Sequence, residues 1–420
     1  MEFTFSTLGA IMALVISIVL IIFKFQATYS LIIGAIIGGI IGGGDLVNTV
    51  NAMVSGAEGM MSSVLRIMTS GILAGALVKT GSAEKIADTI IDKLGDRLAI
   101  VSISISTMII CAIGVFVDIS VITIAPIALV IAYKLKINKM AVLIAMIGGG
   151  KAGNIISPNP NTIATAESFK IQLTDLMLRN LIPAIIALVV TIIIAILLSK
   201  KESTKVVDSE LEKNEEDKLP NFINSIIGPL CVVILLSLRP LFDINIDPLV
   251  ALPLGGIIVQ ISTGNLSTTR ENFTYGFMKI SSVCALLIGT GTIAGIIKSS
   301  NLQTDILALI DQMNLPTFIL APISGIFMAA ATASTTAGAT VASQTFYEAL
   351  KSSGIDMISA GAMLHAGSTV LDSLPHGSFF HATAGSVNMN IKNRMKLIPF
   401  EMLIGLSSTI SAIVIYFIAN

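Results

Sequence analysis

Gly148 to Glu167 reads GGGKAGNIISPNPNTIATAE, inside an otherwise apolar stretch long enough to cross a membrane. Pro158 and Pro160 each lack a backbone N–H and clash with the preceding turn, so no regular helix runs through them. Gly148, Gly149, Gly150 and Gly153 read as points where the chain leaves helical dihedrals at little steric cost. A helix broken at membrane depth is the expectation. Unpaired backbone at that depth survives only where it is buried in protein or lines a wet cavity, so the break marks a place for something polar.

The remaining sequence belongs in a bilayer. Of 420 residues, 54% are hydrophobic and 12% charged, and the mean hydropathy is +0.89, which excludes a water-soluble globule. A net charge of -1 and the lack of a basic, aromatic-interleaved patch exclude nucleic acid as a partner. Cys111, Cys231 and Cys284 are widely spaced in apolar runs and read as small buried hydrophobes, without metal-ligand or disulfide spacing. Leu8 to Phe23 has no basic segment before it and reads as a retained first span.

Further spans are expected at Leu31 to Gly44 and Val64 to Val78, then an amphipathic surface helix at Thr80 to Arg97. A hairpin at 98–133 with its arms meeting at Asp118, a broken helix at 140–170 and a span at 176–199 complete a first repeat, 1–199. Residues 200–220, more than half of them charged, form a cytoplasmic linker. The second half, 221–420, repeats the order: a hairpin at 316–350 with ATASTTAGAT (from Ala331) at its tip, a broken helix at 357–388 and a last span at 397–418. KAGNIISPNPN from Lys151 aligns with HAGSTVLDSLPHGS from His365, pairing Gly153 with Gly367 and Pro158 with Pro375. Each break is expected to be completed by the hairpin of its own half.

Charge sets the orientation. Re-entrant hairpins put most of the 25 Lys and Arg on one face, among them Lys24, Lys85, Lys134, Lys200, Lys279 and Lys396. That face should be cytoplasmic, leaving both termini outside. Arms that crossed fully would scatter the same charges. The fold class expected is therefore an all-α polytopic membrane protein with inverted-topology repeats, each holding a re-entrant hairpin and a broken helix.

Polar residues at membrane depth are costly and mark function. Asn154, Ser157, Asn159, Asn161 and Thr162 in the first break, Ser334, Thr335 and Thr336 at the second tip, and His376 and Ser378 in the second break can donate hydrogen bonds to a carboxylate or hydroxyl. Free N–H groups at helix starts add a site for an anion, and an anion bearing hydroxyls fits this set best. Asp118 and Asp372 have two readings, caps for backbone amides or groups that couple transport to a cation. Lys151 either compensates substrate charge, pairs with a carboxylate or snorkels along the break. His365 and His381 read as structural. The histidine spacing and the absence of HExxH give no metal centre, and no GxxxxGK[ST] motif is present for ATP. The small-residue run at the second tip can also be read as a helix-packing surface.

These stretches resemble the gluconate permease (GntP) family. GVFVDISVITIAPIAL from Gly114 is similar to the family's Phe-Phe-Asp hairpin, SPNPNTIATAE from Ser157 to its PPHPGP stretch, STTAGATVAS from Ser334 to its second hairpin, and LDSLPHGSFF from Leu371 to its late Asp-Ser or Leu-Pro-His stretch. The resemblance implies proton-coupled symport of small hydroxy acids by an elevator-type transporter, with a dimerising scaffold and a moving transport domain. It places Asp118, Asn159, Asn161, Ser334, Thr335, Asp372 and His376 in the site. Asn159 stands where the family has His, and Asn161 and Thr162 where it has Gly-Pro. The reading that results is a secondary active transporter, not an enzyme, without cofactor or metal. It would carry gluconate, glycerate, hydroxybutyrate or a similar acid with protons or sodium, as a homodimer in a bacterial inner membrane. The alternative is a cation/proton antiporter without organic substrate.

Overall fold

The computed structural model describes residues 3–201, 204–207, 219–302, 304–305, 308, 312, 316–375 and 377–419. Most of the expected linker at 200–220, part of the polar stretch after Lys298, and His376 lie outside the described residues. Secondary structure among the described residues is helical apart from two isolated β-bridges.

Four helices open the chain: α1 (Thr7–Ile22), α2 (Ala27–Ile41), α3 (Leu46–Glu58) and α4 (Met61–Lys79). The first three are started by side chains of Ser6, Gln26 and Asp45, which accept hydrogen bonds from otherwise free amides. They assemble with α12 (Phe222–Phe242), α13 (Pro248–Ser262) and α14 (Thr269–Lys298) into one helical layer. α14 packs on α2, α3 and α4, and α13 joins α4 to α12. The amphipathic segment folds as α5 (Ser82–Leu94), which turns through 106° into the first hairpin and packs on α12.

The second layer holds the hairpins and breaks. α6 (Ala99–Ala112) and α7 (Val117–Leu135) form the first hairpin, α8 (Lys139–Asn154) and α9 (Pro160–Ser168) the first broken helix, followed by α10 (Leu173–Arg179) and α11 (Leu181–Ser199). Later come the second hairpin, α15 (Leu320–Thr332) and α16 (Thr335–Ser352), the second break, α17 (Met357–Gly367) and α18 (Ser378–Ser386), then α19 (Ile391–Met395) and α20 (Ile398–Ala419). α8 packs on α6 and α11, α17 packs on α15 and α20, and α11 lies against α20.

Several boundaries differ from the sequence reading. Gly148 to Gly153 do not release the helix, because α8 continues to Asn154. They serve close packing instead: a Cβ on Gly149 would sit 2.2 Å from the Ser104 carbonyl oxygen of α6. The tip of the first hairpin is Ile113–Phe116, so Asp118 lies inside the first turn of α7 rather than at the junction. The second tip is only Ala333 and Ser334, and Thr335 to Thr340 are already helical.

Among the described residues, five helical segments are long and apolar enough to cross a bilayer core: Met61–Lys79, Val117–Leu135, Leu181–Ser199, Leu266–Lys298 and Ile391–Ile418. Five shorter apolar helices accompany them. The chain is a multi-pass membrane protein.

Ion pairs fasten helices within and between the layers. Arg394, fully buried, pairs with Glu401 of α20, donates from Nε to the Thr383 hydroxyl at 3.3 Å and stacks 4.7 Å from the Phe380 ring. It thereby holds α18 against the last helix. Arg66 of α4 binds Asp247 at 2.6 Å and reaches Glu167 of α9 at 3.0 Å, bridging the two layers. Partial burial, the largest single influence, works to raise the Asp247 carboxyl, but the hydrogen bonds from Arg66 and the Leu249 amide and the Arg66 charge together outweigh it and hold the group below the usual carboxylate range.

Candidate functional site

The first break is built around Asn154 and Asn159. With Pro160 at the first position of α9, the missing N–H costs no helical bond. The Asn159 side-chain oxygen caps that helix, accepting from the amides of Asn161 (3.1 Å) and Thr162 (3.2 Å). Its amide group reaches back across the break to the Asn154 carbonyl (2.9 Å) and side-chain oxygen (2.5 Å). Asn161 donates to the same Asn154 side-chain oxygen at 2.7 Å, and the Thr162 hydroxyl donates to the Asn154 carbonyl at 3.3 Å. Asn154 thus ties the end of α8 to the start of α9.

The second break is longer, running from Ser368 to Gly377 between α17 and α18. Lys151, 2% exposed, donates to the Thr369 carbonyl at 2.7 Å and to Asp372 at 2.5 Å. Asp372 also accepts from Thr335 (2.6 Å) and Ser373 (2.9 Å). Of the readings open for Lys151, pairing with a carboxylate is the one observed. A Cβ at Gly377 would lie 2.4 Å from the Ala333 carbonyl oxygen, so only glycine lets the second hairpin tip reach the end of its break. The His381 ring donates to the Pro375 carbonyl at 2.8 Å, shaping the same segment.

The halves cross at this point. Thr336 of the second hairpin donates to Asn161 of the first break at 2.6 Å, α16 packs along α9, and α7 packs along α18. Each hairpin also contacts the first arm of its own break, α6 and α7 on α8, and α15 and α16 on α17. The expectation that each break is completed by its own hairpin is therefore corrected: each hairpin spans both breaks.

These elements surround a cavity of about 370 Å³ between the two layers. Of the residues singled out from sequence, Asp118, Asn154, Asn161, Ser334, Thr335, Thr336, Asp372 and Ser378 line it. Its size is that of a pocket for a small organic molecule. Ser157, Asn159, Thr162 and Lys151 are buried and do not line it. The Ser157 hydroxyl is sealed without a hydrogen-bond partner, and the bonding capacity of Asn159 is taken up by the bracket just described. His365 is fully buried, and neither ring nitrogen finds a partner. Among the described residues no group of three or more His, Cys, Asp or Glu could hold a metal ion.

Sequence reasoning missed the wall contributed by the first layer: Gln26 and Thr28 at the start of α2, and Lys279 and Ser282 on α14. Lys279 carried a signal, a charge within a long apolar run. It reads from sequence as one more cation of the aqueous face.

The model of the GntP family permeases matches residues 5–420. An uncharacterized transporter of Haemophilus influenzae is 48% identical over 413 residues, 98% of each chain. The D-serine transporter DsdX of Escherichia coli is 24% identical over 364 residues, 79% of this chain and 81% of that one. Among solved structures, the YdaH transporter of Alcanivorax borkumensis, described as having an unusual topology, superposes with a TM-score of 0.68 over 88% of both chains at 12% identity. That similarity concerns the fold.

Proposed function

The chain belongs to the GntP family of permeases, and from that premise we propose that it is a secondary active symporter of a small hydroxylated carboxylate. One observation carries the reading: two breaks and the second hairpin converge, through Lys151–Asp372, Thr335–Asp372 and Thr336–Asn161, on one polar cavity at the boundary between the layers. The element order from α4 to α11 recurs from α14 to α20 among the described residues, which supports inverted repeats at 1–199 and 221–420. In this reading the hairpins and breaks move as a unit against α1–α4 and α12–α14. The protein is a homodimer in the bacterial plasma membrane with both termini outside.

Charge at the cavity supports cation coupling. Lys151 neutralises Asp372, while Asp118 and Lys279 act on each other through their charges at the cavity wall without a contact ion pair among the described residues. A monoanion entering this neutral set leaves one excess negative charge in a poorly solvated place. A proton on Asp118 or a sodium ion beside it removes the excess. Carboxylate and cation therefore travel together.

Liposomes holding the purified protein, supplied with labelled gluconate, glycerate, 3-hydroxybutyrate or D-serine under a pH or sodium gradient, test the reading. Accumulation of at least one acid only when the gradient is imposed is the expected result. Ion exchange with no acid transported would instead establish the antiporter. Asp118→Asn is expected to cut gradient-driven accumulation by about tenfold or more while leaving acid-for-acid exchange measurable. Equal loss of both would assign Asp118 to architecture.

A further inference from the structure

We propose that Lys279 is the cation that receives the substrate carboxylate. The inference rests on the reading of the protein as a carboxylate transporter. A carboxylate leaving water for the cavity needs a positive partner or a set of free donors. Lys151, the cation that sequence places nearest the breaks, is closed to this role, because its ammonium is sealed from solvent and bound to Asp372 and the Thr369 carbonyl. The hydroxyls of Thr335 and Thr336 are already donated to Asp372 and Asn161. Among the described lining residues, Lys279 is the one Lys or Arg, and it is exposed.

The surroundings of Lys279 fit the role. It makes no contact ion pair among the described residues; the charge it does act on is Asp118 in the wall of the same cavity, so a proton or cation at Asp118 leaves Lys279 to the ligand. It lies about 15 Å along α14 from Thr269 at 1.5 Å per residue, well inside the helix. Its ammonium is 5.4 Å from the Tyr275 ring, and Lys79 is 5.5 Å from the same ring. Two cations on one aromatic ring beside the cavity attract anions. The substrate then lies with its carboxylate at Lys279 on the first layer and its hydroxyls toward Asn154, Asn161, Ser334 and Ser378 on the second. Recognition is split across the boundary between the layers, so substrate selects the arrangement that brings them together.

Uptake into liposomes of whichever of D-gluconate, D-glycerate, 3-hydroxybutyrate or D-serine the wild type carries fastest tests this. Lys279→Gln is expected to raise the half-saturation concentration about tenfold while the maximal rate stays within about twofold, and Lys279→Arg to stay within about threefold of wild type. In a background with Cys111, Cys231 and Cys284 replaced by alanine, Lys279→Cys should regain affinity after 2-aminoethyl methanethiosulfonate, which restores a positive charge, and not after the neutral methyl reagent. Lys279→Gln with half-saturation within about twofold of wild type, or equal rescue by the neutral reagent, overturns the proposal. A wild type that carries none of the four acids overturns the carboxylate reading as well, and that outcome is visible before any variant is made.

Discussion

Lys151→Met is expected to destabilise the protein by about 3–5 kcal/mol, because it leaves the nearly buried carboxylate of Asp372 at the cavity wall without its cation. The two side chains are 2% and 6% exposed and meet at 2.5 Å, across 221 residues of sequence. Thr335 and Ser373 also donate to Asp372, but neither brings a positive charge. With the ammonium gone, the charge must be carried unpaired or neutralised by a proton. The double variant Lys151→Met with Asp372→Asn should recover most of the loss, since the amide oxygen still accepts from Thr335 and no charge remains. Thermal unfolding in detergent of the two single variants and the double closes the cycle. If Lys151→Met unfolded at the wild-type temperature, the pair would not be what joins the two breaks.

Asn159→Ala is the second large effect. It removes the cap of α9 and leaves the oxygens of Asn154 short of a donor, at a combined cost of about 2–4 kcal/mol. Transport should fall with the folded population, and the protein that remains folded should bind substrate as wild type does. Asn161→Ala should behave differently, because Asn161 lines the cavity and links the first break to Thr336. Its signature is a raised half-saturation concentration with a smaller loss of stability. Measuring unfolding temperature and half-saturation on both variants separates the roles. A stable Asn159→Ala with weakened binding would move Asn159 from the frame of the site to its surface.

The two asparagines also mark where reading the sequence stops. SPNPN at Ser157 to Asn161 announces a chain break through its prolines, and Pro160 does begin α9. Which asparagine caps and which faces the ligand depends on side-chain direction after the turn, which spacing does not encode. The glycines before the break were misread for a similar reason. Glycine permits both an exit from helical dihedrals and close helix packing, and the Ser104 carbonyl of α6 against Gly149 decides for packing.

Composition and hydropathy by themselves determined that this chain spans a membrane with helices. The prolines determined where the first of two helices breaks, and the resemblance of four short stretches pointed to the permease family. Those are local properties, written in runs of neighbouring residues. Tertiary structure alone decided that Lys151 serves Asp372 rather than the substrate, that Thr336 reaches Asn161 across the halves, and that Lys279 of the first layer completes the wall. The physical reason is that a buried charge takes whichever partner the packing of distant helices brings within hydrogen-bonding reach, and sequence distance says nothing about that encounter. GGGKAGNIISPNPNTIATAE thus encodes its own break, while the rest of the molecule determines what the break binds.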